Sequence, residues 1–399
     1  MKLYFKWLIF KSHFLFKQKL KLLYKLKNEN MYNYYLIFDG NYLAYRTLFT
    51  IKNYVSNEKT LSDEKSKGIF MRKLTDDFLS IVSLFNTNKI IFVKDSKSWR
   101  KQFEGEYKAT REKSEDIDWD SLFALIDEFT DKLKNLNVVI SKVDMLEGDD
   151  LIALWSKKLN KENKSAIIIS ADSDLIQLVE LNNDSFTIIY NVKSNTKKFY
   201  ASIGFKEKLF SYKFNNNSDI FESSINVLNT NKIKKLISII ESHDIEEVKS
   251  EEVLLHKVLC GDTSDNVSSV FVIEVNGKRK RITNKDAKKV ISYLNDTYSK
   301  VNIDELKYNK NLQNEIRLIL EKSSKLKIPK DEFFENLYRN FKLIHLNEIE
   351  YDQSLIDSFN EHTNTINYNL SCKTLTKESI LSETDYFKND KIKIYSDAF

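Results

Sequence analysis

The stretch AIIISADSDLIQL, Ala166 to Leu178, decides how the rest of the chain is read. Three consecutive isoleucines present apolar side chains to both sides of a pleat, the mark of a strand covered on both faces in a parallel sheet. The strand then runs directly into Asp172 and Asp174. One buried carboxylate is costly and two close together are worse, so something positive is expected between them.

Working outward, similar apolar runs recur at 34–39 (YYLIFD), 89–95 (KIIFVKD), 137–142 (NVVISK) and 186–190 (FTIIY). Helix-like stretches lie at 73–85, 120–136 and 148–159. Apolar strands alternating with amphipathic helices predict an α/β fold, a largely parallel twisted sheet with helices on both faces. Beyond about residue 200 the pattern turns mainly helical, with a low-complexity region at 213–232.

Composition sets the bounds. Hydrophobic residues make up 42% and charged residues 30% of the 399, which suits a soluble globular chain with a sizeable core. Cys260 and Cys372 form no metal-spaced motif and the five histidines are scattered, so reduced thiols and no zinc site are expected. The net charge of +5 misleads, because residues 1–30 carry eight lysines and one glutamate and leave the remainder slightly acidic. That first segment has no apolar run long enough to span a bilayer and no small-residue cleavage site. It reads either as a basic amphipathic helix meeting a membrane or partner, or as an upstream extension of a chain starting at Met31.

Three strands end in aspartate: Asp39 after LIF, Asp95 after IIFVK, and Asp172 with Asp174 after IIISA. Glu147, Asp149 and Asp150 open a helix in LEGDDLIALW, and Asp262 and Asp265 follow another in LCGDTSDNV. A single strand-end Asp is most often a turn former or helix cap. The joint arrangement is different, because ligands of open parallel sheets bind at the carboxyl ends of the strands. Carboxylates about 4 Å apart repel by roughly 4 kcal/mol at an effective dielectric near 20, so their convergence calls for bound cations. All-oxygen ligation selects Mg²⁺, with Mn²⁺ able to take its place. Two such ions roughly 4 Å apart suit in-line hydrolysis of a phosphodiester.

The order DGN (39–41), strand-Asp before WRKQFEGEYKATR (99–111), EGDD (147–150), ISADSDLIQL (169–178) and GDTSDNV (261–267) resembles that of the flap-endonuclease-type 5′ nucleases. These include the 5′ nuclease domains of bacterial DNA polymerase I and the phage 5′-exonucleases; the run is most similar to that of the T-even phage ribonucleases H. The resemblance covers about 34–300, and each motif alone is weak while five in order are not. It implies that Asp39, Asp95, Glu147 and Asp149 hold one metal with Asp150 close by, that Asp174, Asp262 and Asp265 hold the second, and that Asp172 lies between the two ions as a catalytic residue.

It further implies an arch or clamp at 96–118, with Lys108 and Arg111 as the catalytic basic pair that reaches the scissile phosphate. Lys97, Arg100 and Lys101 would contact nucleic acid beside them, and Tyr107 offers a ring for stacking on unpaired bases. Without the resemblance, a solvated mixed-charge helix explains 96–113 as well. Arg46, seven residues past Asp39, matches a phosphate-contacting arginine. The run GKRKRITNKDAKK (277–289), with Lys278, Arg279, Lys280, Arg281 and Lys285, sits where the family's helix–three-turn–helix grips duplex backbone. It lacks the family's Gly-x-Gly hairpin, which leaves open how the duplex is held.

The organisation so implied is an extension at 1–30, an α/β nuclease core at 31–200, an insertion at 201–250, a duplex-binding region at 251–300 and a helical C-terminal region at 301–399. The expected activity is a Mg²⁺-dependent, structure-specific 5′ nuclease, exonuclease or flap endonuclease with ribonuclease H activity. It would act on branched or nicked duplex DNA and RNA–DNA hybrids and remove RNA primers in phage-type replication. Such a role implies a monomer in the cytoplasm (a host's, if phage-encoded), with a single-strand-binding protein and a sliding clamp as partners. Two other readings stand beside it: a single-strand-specific PIN-type ribonuclease, against which the downstream basic run argues, and a non-catalytic DNA-structure-binding protein, against which the full acid set argues.

Overall fold

A computed structural model describes residues 34–52, 59–193, 197–209, 235–298, 303–347 and 350–381. The extension at 1–30 and the low-complexity stretch at 213–232 lie outside these residues.

The strands β1 (Tyr34–Asp39), β2 (Ile90–Val93), β3 (Val139–Ser141), β4 (Ser165–Ile169), β5 (Glu180–Leu181), β6 (Phe186–Asn191), β7 (Lys198–Ser202) and β8 (Asp244–Val248) form one sheet. Its order is β3-β2-β1-β4-β6-β7-β8, with β5 alongside β6. The pairs from β3 to β6 are all parallel. Only β5 and β7 run antiparallel to β6. The expected largely parallel α/β sheet is therefore present.

The isoleucine run is explained by the period of two. Ile167 and Ile169 join Leu36 and Phe38 in one core, while Ala166 and Ile168 join Tyr35 and Ile37 in the other. Helices α1 (Gly40–Lys52), α2 (Glu64–Phe85) and α4 (Trp119–Asn135) cover the first face, and α5 (Gly148–Lys161) covers the second. Between α2 and α4 lies α3 (Arg100–Phe103), a single turn.

The boundary placed at residue 200 moves. That position falls inside β7, and β8, from within the expected insertion, pairs parallel with β7 and completes the sheet edge. Helix α6 (Ser250–Cys260) then leads to a two-stranded hairpin of β9 (Val272–Val275) and β10 (Lys278–Arg281) and to α7 (Asn284–Thr297). Asn276 and Gly277 both have positive φ (52° and 70°), as a two-residue hairpin turn matching the strand twist requires. Helices α8 (Ile303–Tyr308), α9 (Lys310–Ser324), α10 (Lys330–Ile344), α11 (Gln353–Thr365) and α12 (Lys377–Leu381) follow. A third core gathers α6, α7, α9 and α10, including Val258, Val290, Ile316 and Phe341. Among the described residues no helix is long and apolar enough to cross a membrane.

Candidate active site

Parallel pairing sets the acids at one rim. Asp39, the last residue of β1, is level with Val93 of β2, and Phe38 is level with Ile169 of β4. Asp95 lies two residues past Val93 and Asp172 three past Ile169, so all three emerge from the same end of the sheet. Helix α5 starts there too. The Gly148 amide donates to Asp95 Oδ1 at 2.5 Å, and a Cβ at position 148 would stand 2.7 Å from that oxygen, so the glycine of EGDD permits the approach. The single 3₁₀ turn at Asp174–Leu178 packs against α6, which carries Asp262 and Asp265 to the same rim.

The acids divide by what neutralises them. Glu147 accepts from Lys108 at 2.6 Å, from Arg100 at 3.1 Å and from Ser98 at 2.7 Å. Burial pushes its carboxyl up, but Lys108 and Arg100 outweigh this and hold it at about 2. Asp265 pairs with Arg111 at 2.5 Å and receives the Tyr107 hydroxyl at 3.0 Å. Lys257 lies between Asp174 and Asp262, 3.1 Å from the latter.

Among the described residues, no basic side chain is in contact with Asp39, Asp95, Asp149 or Asp172, although Lys108 acts on the last three, and Lys257 on Asp172, from farther away. Asp39 accepts the Tyr42 amide at 2.9 Å and the Ser170 hydroxyl at 2.8 Å, and Asp95 accepts the Asn41 amide at 2.6 Å. Burial, opposed by the Tyr42 amide and reinforced by the charges of Asp95 and Asp172, pushes Asp39 up to about 7. Burial and then Asp172 and Asp39 push Asp149 well above the carboxylate range. Among the described residues no three Asp, Glu, His or Cys side chains form a ready-made metal cage. The donor chemistry nonetheless fits a divalent ion in the Asp39–Asp95–Asp149–Asp172 group: all-oxygen, mutually repelling and with no basic side chain in direct contact among the described residues. An ion between Asp174 and Asp262 would have to take the place of Lys257.

Three expected roles are corrected. Asp150 is fully buried, with both oxygens held by Arg100 at 2.7 and 2.9 Å and one also accepting the Glu147 amide. It closes a capping box and an ion pair, so its carboxylate is taken up by α5 and Arg100. Arg100 is 2% exposed, enclosed by that pair, and cannot reach nucleic acid. Tyr107 is 3% exposed in the third core, its hydroxyl on Glu147 and Asp265, so its ring has no face for a base. The segment expected as an arch instead lies against the 262–266 loop, where Lys108, at a positive φ of 56°, donates its amide to Asp265 and Asn266 bonds to Glu106.

The other basic residues stay accessible. Lys97 and Lys101 are exposed, and Arg111 reaches the acidic rim from an exposed position. Arg46 is half-buried next to Tyr42 and Tyr190, whose hydroxyls its charge draws down against the effect of burial. Lys278, Arg279, Lys280 and Arg281 form the whole of β10, and all four are exposed. Lys285 continues that surface in the first turn of α7, where Asp286 is a capping residue bonded to Thr283. Asn41, Ser98, Ser170 and Lys257 were not singled out from the sequence. The first three lie two or three residues from Asp39, Asp95 and Asp172, a signal available in retrospect, whereas Lys257 is an ordinary-looking residue inside a helix.

The family model of the 5′-3′ exonuclease N-terminal resolvase-like domain matches residues 34–210. A 5′-3′ exonuclease of Mycoplasmopsis pulmonis is 24% identical over 266 residues, 66% of this chain and 71% of that protein. A 5′-3′ exonuclease of Buchnera aphidicola subsp. Schizaphis graminum is 29% identical over 178 residues, 44% of this chain and 58% of that one. The solved structure of the T5 D15 protein co-crystallised with metal ions has 17% identity and a TM-score of 0.47, covering 83% of this chain and 97% of its own. Residues 34–210, which carry the acids from Asp39 to Asp174, are thus similar to the N-terminal domain of the 5′-3′ exonucleases, nucleases that hydrolyse phosphodiesters.

Proposed function

We propose that this chain is a divalent-metal-dependent, structure-specific 5′ nuclease that removes 5′ ends or flaps from branched and nicked duplex DNA and from RNA–DNA hybrids. A place in RNA-primer removal during phage-type replication follows from the hybrid activity. The observation that carries the reading is the group Asp39, Asp95, Asp149 and Asp172, drawn to one rim with no basic side chain in contact among the described residues. Mg²⁺, or Mn²⁺ in its place, would supply charge neutralisation and a more acidic attacking water when bound there.

The chain's own residues supply the rest. Lys108 and Arg111 face the rim from the 98–111 segment, and a phosphate arriving there would compete for them with Glu147 and Asp265. The exposed row Lys278–Arg281 with Lys285 offers sequence-independent contact to duplex phosphates and stands in for the missing Gly-x-Gly hairpin. Asp172, in field contact with Asp39, Asp149, Asp262 and Asp265, links the two halves of the rim.

The test uses 5′- and 3′-labelled flap, nicked and hybrid duplexes with and without Mg²⁺, with product lengths resolved. Short products from the 5′ end, formed only with the ion, are expected. Asp172→Asn and Asp174→Asn should each abolish cleavage while leaving duplex binding, carried by the exposed basic row, largely intact. Preference for unstructured RNA would favour the single-strand ribonuclease, and tight flap binding without hydrolysis the non-catalytic reading.

A further inference from the structure

Arg100 is among the most deeply buried large side chains in the protein, yet it is a cation between the two arms of the molecule. Its guanidinium donates to Asp150 through both terminal nitrogens, to Glu147 at 3.1 Å, and through Nε to the Leu343 carbonyl at 2.8 Å. Leu343 belongs to the last turn of α10, 243 residues away in the chain. The Trp99 ring lies 4.8 Å from the guanidinium carbon; Tyr351 meets that ring edge-on and the Lys342 ammonium is 5.0 Å from its centre. The turn holding Tyr351 is itself tied down: fully buried Glu350 accepts from Lys307 at 2.5 Å and bonds His345 at 3.2 Å.

The bonds of Arg100 go to the residues that fix the start of α5. Glu147 is its N-cap, Asp150 its third residue, and Asp149 between them is one of the acids without a basic partner. A buried ion pair is poor value as a source of stability, because desolvation consumes most of its attraction. A fork that holds two carboxylates and a carbonyl at once is well suited to fixing directions. We infer that Arg100 is a positioning residue for divalent-ion binding: anchored by the C-terminal Leu343 carbonyl, it sets where Glu147 and Asp149 point. This rests on the reading that the rim holds divalent ions.

The discriminating variant is Arg100→Met with Asp150→Leu, in the full chain. Replacing both partners with apolar side chains of similar volume leaves no unpaired buried charge; Asp150→Leu alone, which removes the capping bond to the Glu147 amide, is titrated beside it so that the fork's own effect is the difference between the two. Mn²⁺ is titrated into the metal-free protein without substrate, bound and free ion being separated by electron paramagnetic resonance, and a thermal melt is recorded alongside. Affinity is expected to fall about 10- to 100-fold, the usual cost of losing a ligand's outer partner, while the melt stays cooperative and near wild type. Mn²⁺ affinity within about twofold of wild type would overturn the inference and leave the pair a packing element. Should the double variant not melt cooperatively, Arg100→Lys decides by the same titration, since one ammonium keeps the charge but loses the fork. A wild-type chain that binds no Mn²⁺ would overturn the metal reading itself, and this inference with it.

Discussion

Replacing Asp39 by asparagine should destroy activity and yet stabilise the metal-free protein. Asp39 has its ordinary value of 3.8 in the unfolded chain and is pushed up to about 7 in the folded one. Between those values the unfolded chain releases a proton that the folded one keeps, so stability is lost as pH rises from about 4 to about 7 and the full penalty persists above. A rise of about three pKa units corresponds to about 4 kcal/mol, a ceiling because Asp39 and Asp149 repel one another and share the cost. Asparagine removes the charge but keeps the contacts, its Oδ1 accepting from the Tyr42 amide and its Nδ2 donating to Ser170 Oγ. In EDTA at pH 8, urea unfolding should find Asp39→Asn more stable than wild type by about 2–3 kcal/mol, a melting shift of several degrees. At pH 5 the gap should shrink to roughly a third, because the folded wild type is then protonated. Saturating Mn²⁺ at pH 8 should reverse the order, since only the wild type gains fully from binding. A variant equal to or less stable than wild type in EDTA at pH 8 would refute the claim that these carboxylates lack a neutralising partner.

Two further outcomes test the basic surface and the buried tyrosine. Changing Lys278, Arg279, Lys280 and Arg281 together to glutamine should weaken duplex binding and lower the slope of log affinity against log salt by up to about four, with turnover at saturating substrate little changed; an unchanged slope would remove the hairpin from the interface. Tyr107→Phe should leave flap binding unaltered, whereas Tyr107→Ala should cost about 3–5 kcal/mol of stability; weakened flap binding with an unaltered melt would restore the stacking role.

The sheet and the convergence of its acids could be read from the chain because both follow from local pattern plus one topological rule. Doubly apolar runs such as Ile167–Ile169 demand cover on both faces, and parallel strands separated by helices send Asp39, Asp95 and Asp172 to the same end. What could not be read depends on distant partners. Arg100 and Tyr107 sit in a mixed-charge segment that looks solvated, and only the Leu343 carbonyl and the 262–266 loop show why both are enclosed. Asp150 follows the acidic pattern of its neighbours, and its different role rests on an arginine fifty residues upstream. The strand β8, DIEEV, is too charged to announce itself and is recognisable only by its pairing with β7.

The segment from Trp99 to Arg111 fastens the molecule at two ends. Trp99 is embedded in the core beneath α5 and Tyr107 in the core of the helical half, while Lys108 and Arg111, just beyond Tyr107, grip Glu147 and Asp265. Prising the halves apart must therefore withdraw one of the two rings from its socket and pull the basic pair off the rim in the same movement. Anything that wedged the halves open would therefore also take Lys108 and Arg111 away from Glu147 and Asp265, so the basic pair can meet the acids only while both rings stay seated.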